Sequence, residues 1–184
     1  MKSFFREIAI TVVIAAVLFF ALQAAIDSVV IPSPSMEPTL EIGQRLIVSK
    51  TSYIFGEPQR GDIVTFHHPQ QPQDTTPLIK RIIGLPGESV EVEDGIVYVH
   101  TVSGDRLRLD EPYIAEQARS DFVGDVVPPD EYFVMGDNRN NSDDSRRGWT
   151  VPRENIIGKA WLTIWPPAQW GLFHHPAYAE APSG

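Results

Sequence analysis

Residues 8–26, IAITVVIAAVLFFALQAAI, contain no charged side chain and only Thr11 and Gln23 as polar interruptions. Such a run must be buried either in protein or in lipid. As a helix it extends about 28 Å at ~1.5 Å per residue, close to the ~30 Å hydrocarbon core of a bilayer. A chain of 184 residues offers little protein in which to bury it, so a membrane span is expected. Lys2 and Arg6 precede the run, whereas Asp27 and a proline-rich stretch follow it. That bias puts the N-terminus in the cytoplasm and the rest of the chain outside. The run exceeds the ~7–15 residue apolar centre of a cleaved leader, and no small-x-small site closes it, Leu22-Gln23-Ala24 being the nearest. The expected plan is a cytoplasmic N-terminus (1–6), a retained transmembrane anchor (7–27), an extracytoplasmic domain (28–173) and a disordered tail (174–184).

Net charge is -9, from 24 acidic and 15 basic residues. Phosphate neutralisation needs clustered Lys and Arg, so a nucleic-acid partner is not expected. The absence of cysteine rules out disulfides, thiolate catalysis and Cys-type zinc sites. After the anchor the pattern is of short apolar runs broken by turn residues: RLIVSK, DIVTF, LIKRIIG, SVEVEDGIVYVH, RLRL, EYFVMG and NIIGKAWLTIW. Asp94-Gly95 between two alternating runs is a strong hairpin signal. Many short strands at close spacing predict a mostly β domain, a partly open barrel or sandwich of antiparallel strands. Residues 110–129 carry no motif, and no function is assigned to them.

Several familiar site patterns fail. The chain has no G-x-S-x-G and no H-E-x-x-H, and no lysine lies three residues after a candidate serine. His67-His68 and His174-His175 are adjacent pairs, and neighbours in an extended chain point apart, so no metal site is expected. DNRNNSDDS resembles a calcium loop, but Arg139 occupies its third position and Ser142 replaces the required glycine.

Three stretches remain: IPSPSMEPTL (residues 31–40), LIKRIIGLPGE around Lys80, and GDNRNNSDDSRRGW (residues 136–149). Prolines around Ser33 and Ser35 stiffen the backbone, which suits either a stalk above a membrane or a clamp on a reactive hydroxyl. Lys80 would share a strand face with Leu78 and Ile82. Its amine either snorkels to the rim of the sheet or stays buried with a lowered pKa and serves as a general base.

Taken together, SMEPTL, RGDIVTF, KRIIGLPGE, GDNRNNSDDSRRGW and IIGKAW, in this order after one N-terminal anchor, resemble the signature boxes of type I signal peptidases. These are membrane serine proteases with a Ser/Lys dyad. The resemblance covers most of the chain. It implies that Ser35 is the nucleophile and Lys80 the general base, and that Ser142 hydrogen-bonds and orients the lysine amine. It further implies that Ser33 completes an oxyanion hole with the Ser35 N–H, and that Asp144 and Arg146 pair to support the site. Asp137, Asn138 and Arg139 would hold the loop. Ile31, Met36, Leu40, Leu78 and Ile79 would line shallow pockets for Ala-x-Ala sequences. Substrates would be the signal peptides of exported preproteins, bound along residues 28–32 and 77–79, and no metal or organic cofactor is called for.

One departure is Pro34, where glycine often separates the two serines; proline removes an N–H and biases Ser33 towards an extended conformation. The lipid bilayer is the other expected partner, with localisation in a bacterial-type cell membrane in a single pass. Trp161 is expected in the core, and Trp165 and Trp170 at the headgroup level. Oligomeric state is not legible in the sequence. The alternatives are a related Ser/Lys peptidase of conjugative transfer, a self-cleaving repressor-type protease, and a non-catalytic membrane-tethered peptide-binding β domain. Two Ala-x-Ala triplets in the tail, at 177–179 and 179–181, are attributed to chance in an Ala-rich stretch.

Overall fold

The computed structural model describes residues 2–54, 56–173 and 178. The apolar run forms one helix, α1 (Lys2–Ala25), and none of its membrane-length stretch Phe4–Ala25 is buried within the rest of the protein. The chain then passes without a linker into β1 (Ile26–Val30). Eleven further strands follow among the described residues: β2 (Arg45–Ser49), β3 (Ile63–Phe66), β4 (Leu78–Gly84), β5 (Ser89–Glu93), β6 (Ile96–His100), β7 (Arg106–Arg108), β8 (Phe122–Val123), β9 (Glu131–Met135), β10 (Val151–Pro152), β11 (Ile156–Trp165) and β12 (Gly171–Leu172).

They build two antiparallel sheets. The larger runs β1-β2-β11-β3-β4-β9-β10, with β12 beside β11, and is open at β1 and β10; the smaller runs β7-β6-β5-β8. The mostly β fold read from the strand spacing is the one observed. Asp94 (φ 50°) and Gly95 (φ 79°) are the two positive-φ residues of the expected hairpin turn, closing the Glu93 to Ile96 register between β5 and β6.

β4 is the central strand that places the site. It is flanked by β3 and β9, and every residue after Leu78 is buried. Apart from the adjacent Lys80 and Arg81 its LIKRIIG sequence is apolar, as a strand covered on both faces requires. The two faces meet different cores. Ile79 packs with Ile31, Met36, Leu40, Leu46, Ile63 and Ala160. Leu78 and Ile82 pack with Val64, Phe66, Tyr132, Val134, Trp149 and Val151. A third cluster, built around Ile83, Val90, Val92, Val97 and Val99, joins the small sheet to the large one.

The motif residues away from the site bind one another across these strands. Arg60 of RGDIVTF donates to Glu88 Oε1 at 2.6 Å and so ties that motif to the LPGE turn. Asp62, 2 % exposed, is 2.5 Å from the amine of Lys159 in IIGKAW.

Trp161 corrects an expectation: it is 53 % exposed rather than in the core. Gly158 and Ala160 take the inward positions of β11, so strand alternation turns the indole of Trp161 outward. Trp149 fills the core role instead, its ring 6.1 Å from Phe66 and 4.8 Å from His68. Of residues 174–184, Tyr178 is described. It packs against the cluster around Ile83, with its hydroxyl 2.9 Å from that of Tyr113. The remainder of the expected tail, including His174-His175, lies outside the described residues.

Candidate active site

IPSPSMEPTL leaves β1 as an extended strand and closes into a short 3-10 turn, Pro34–Met36. Ser33 caps that turn in an extended conformation (φ -142°, ψ 158°), the geometry a following proline enforces. Pro34 occupies the first position of the turn, where a missing N–H costs nothing and the fixed φ is already helical. The proline therefore defines where the turn begins. Ser35 lies in that first turn, where backbone N–H groups have no partner within the helix. Its side chain is 6 % exposed.

The Lys80 amine reaches Ser35 across the sheet: Nζ donates to Ser35 Oγ at 2.8 Å and to the Ile79 carbonyl at 3.0 Å. Lys80 is 3 % exposed, so the snorkelling alternative does not hold. Burial drives its pKa down from the usual lysine value to about 8, while the nearby carboxylates of Asp144, Asp143 and Asp137 keep it from falling further. At pH 7 a lysine of pKa ~8 is neutral in roughly one molecule in ten, against about one in a few thousand for an exposed lysine. When neutral, the amine accepts the proton it otherwise offers across this contact. A hydroxyl held against such an amine has the arrangement that can pair a nucleophile with a base.

Ser33 Oγ lies 3.3 Å from Ser35 Oγ, which puts a second hydroxyl beside the reacting atom. Ser142 is placed differently from expectation. Its buried hydroxyl makes no hydrogen bond to the Lys80 amine and is directed instead to the Asp144 carboxylate, which it helps to keep charged. It is nonetheless close to the dyad. A Cβ added to Gly136 would stand 2.3 Å from Ser142 Oγ and 2.4 Å from the Ser35 carbonyl oxygen.

The loop after β9 is pinned to the turn from below. Asn138 donates its backbone N–H to the Ser35 carbonyl and its side-chain amide to the Pro34 carbonyl, each at 3.1 Å. Asp144 caps a second 3-10 turn, Ser145–Arg147, and accepts from the Gly136 N–H at 3.1 Å. Arg146 grips Asp144 through Nε and Nη2, both at 2.8 Å, and Nη2 also donates to the Arg139 carbonyl at 2.7 Å. Burial would raise the Asp144 pKa, but the guanidinium of Arg146 holds it below the ordinary carboxylate range. The carboxylate therefore stays charged within electrostatic reach of Lys80.

Several supporting residues had no signal strong enough to find them in the sequence. Arg81 points to the opposite face of β4 from Lys80. There it makes a two-pronged pair with Asp137, Nε to Oδ1 at 2.8 Å and Nη2 to Oδ2 at 2.6 Å, and Asp137 also accepts from Thr39 at 2.6 Å. Tyr113 lies under the Arg81 guanidinium, 3.9 Å from its ring centre. Glu111 holds Arg139 with two bonds, at 2.6 and 2.5 Å. Residues 110–129, without a motif, thus supply two braces of the site loop. The pocket set is divided: Ile31, Met36, Leu40 and Ile79 form one apolar group, whereas Leu78 packs on the other face of β4.

Gly136→Ala is expected to displace the Ser35 carbonyl or Ser142. Because a misplacement of about 1 Å can cost ~100-fold, peptide cleavage by folded Gly136→Ala should fall by about that factor, measured as kcat/KM beside an unchanged far-UV spectrum.

Comparison with known proteins identifies the family. The family model described as signal peptidase, peptidase S26, matches residues 3–165. A probable signal peptidase I-2 of Synechocystis is 42 % identical over 183 residues, covering 95 % of this chain and 80 % of its own. A signal peptidase I of Leptolyngbya laminosa is 45 % identical over 151 residues, 79 % of this chain and 72 % of that one. A chloroplastic thylakoidal processing peptidase of Arabidopsis thaliana is 35 % identical over 184 residues, 95 % of this chain and 52 % of its own. A crystal structure of a signal peptidase I from Enterococcus faecalis shares 36 % identity with a TM-score of 0.46, covering 56 % of this chain and 97 % of that one. With a family match spanning α1, IPSPSMEPTL, β4 and the polar loop, the chain belongs to the signal peptidase family, peptidase S26.

Proposed function

We propose that this peptidase removes signal peptides with Ser35 as nucleophile and Lys80 as general base. The observation that carries this assignment is the buried 2.8 Å contact between Lys80 Nζ and Ser35 Oγ. Neutral Lys80 takes the proton of Ser35 as Oγ attacks the carbonyl of the last signal-peptide residue. The oxyanion that forms is met by the Ser35 N–H and the Ser33 hydroxyl. The tetrahedral intermediate collapses as the C–N bond breaks. The Lys80 ammonium gives its proton to the departing amine, the new N-terminus of the mature protein. Water then adds to the acyl carbonyl, losing a proton to Lys80; the bond to Ser35 Oγ breaks, Oγ takes that proton back from the Lys80 ammonium, and the signal peptide leaves as a carboxylic acid that ionises in solvent. Asp144, clamped by Arg146, tunes Lys80 by its charge, and Ser142 supports the same corner by packing.

Specificity for small residues fits the apolar group of Ile31, Met36, Leu40 and Ile79 beside the nucleophile, with Leu78 near the site at the start of β4. An extended substrate adds along the open edge of β1, which pairs on one side only. The anchor reading places α1 in the bilayer with Lys2 and Arg6 on the cytoplasmic side. Exposed Trp161, Trp165, Trp170 and Leu172 then form an apolar surface suited to the headgroup region.

Four outcomes are expected. Ser35→Ala and Lys80→Met, each folded by circular dichroism, should lose at least about a thousandfold in cleavage of a preprotein with an Ala-x-Ala site; retained cleavage in either removes the dyad. The acylation rate should rise with pH and level off above about 8, because the neutral amine is the active form. Asp144→Asn removes a nearby negative charge that holds the lysine pKa up, so its profile should move to lower pH. In full-length protein reconstituted with brominated lipid, single-tryptophan variants retaining Trp161, Trp165 or Trp170 should be quenched. The variant retaining Trp149, 7 % exposed in the core, should not.

A further inference from the structure

Where α1 meets the sheet, a groove of about 480 Å³ opens between the last turns of the helix and the outer face of β1 and β2. Phe19, Leu22, Ile26 and Ile47 form its apolar wall, and Gln23, Asp27, Ser28 and Lys50 its polar rim. The junction is stapled, with the Lys50 N–H donating to the Ala25 carbonyl at 2.8 Å. The rim is therefore fixed to the end of the helix. The chain as a whole carries a charge of -9, yet two basic residues converge here. Lys50 lies in the groove, and Arg45 reaches its edge, 3.5 Å from Ser28 Oγ. Among the described residues neither makes an ion pair. The one acid on the rim, Asp27, turns its carboxylate back onto the Ser28 N–H at 2.7 Å.

We propose that this groove seats one phospholipid, its phosphodiester against Lys50 with Arg45 at the edge, and the upper part of an acyl chain along Phe19 and Leu22. The inference rests on α1 spanning a bilayer. In that setting Phe19 and Leu22 stand within the hydrocarbon, and the first residues of β1 stand at headgroup height. An apolar wall below a cation is the pattern that a glycerophospholipid complements, hydrocarbon to hydrocarbon and phosphate to ammonium. The volume is too small for a whole lipid. It suits the glycerol region, which would lock the otherwise bare helix to the sheet.

The test uses the full-length protein in an uncharged detergent, with bound lipid counted by native mass spectrometry. Dioleoyl phosphatidylglycerol should give one retained adduct, and dioleoylglycerol, with the same chains and no phosphate, should not. Lys50→Gln should weaken the adduct about fivefold, the worth of one interfacial cation–headgroup contact, and Lys50→Arg should keep it. Unchanged cleavage of a soluble peptide by Lys50→Gln would show that the variant is folded. Millimolar inorganic phosphate should not displace the lipid. Equal adducts in wild type and Lys50→Gln, equal retention of dioleoylglycerol, or displacement by free phosphate would each overturn the proposal. Flotation of the same protein with vesicles separates the two readings. Protein that fails to float refutes the anchor, whereas protein that floats without a Lys50-dependent adduct refutes the groove alone.

Discussion

Two neighbouring cations in one buried strand set the terms for the rest of this protein. Lys80 and Arg81 are both 3 % exposed, and because a strand alternates its faces they cannot share a partner. A buried charge is costly unless it is paired. The protein solves that problem differently on the two sides. Arg81 receives a carboxylate in two-pronged contact, a tyrosine ring beneath it and the Gly61 carbonyl at 3.0 Å. Lys80 receives only a hydroxyl and a carbonyl. One cation is made permanent, and the other is left easy to discharge. The permanent one anchors Asp137 and with it the loop that presses on the Ser35 turn, so structural order on one face holds the chemical unrest on the other in place.

The sequence carried the parts of this arrangement that depend on pattern. Alternation gave the strands, Asp94-Gly95 gave the hairpin, and a lysine between Leu78 and Ile82 raised the question that its burial answers. The dipeptide Lys80-Arg81 held a second question of the same kind, since a guanidinium on the other face of an apolar strand also needs a partner. What stayed hidden depends on distance along the chain. Glu111 meets Arg139, and Tyr113 meets Arg81, from a stretch with no periodicity or motif to mark it. Trp161 was misplaced because an aromatic ring was taken for a core residue, whereas alternation with the buried Gly158 and Ala160 turns it outward.

Pro34 shows how a departure from a family's habit can suit the local backbone. The position asks for a residue that starts a helical turn without needing an N–H, and proline meets that condition by its ring. Ser33 is driven extended by the same ring, and its hydroxyl still comes to rest beside Ser35. The Asn138 amide and N–H then fasten the turn from the other side.

The direct passage from α1 into β1 has a consequence of scale. With no flexible linker between them, and with the Lys50 N–H fastened to the helix end, Ser35 stands a fixed distance from the end of the apolar helix. The five residues of β1 alone span roughly 17 Å at ~3.3 Å each. With α1 seated in a bilayer as proposed, that strand acts as a ruler. A preprotein would be measured as well as read, and a small-x-small site standing too near its own membrane helix, or too far from it, would miss the serine however well its side chains fitted.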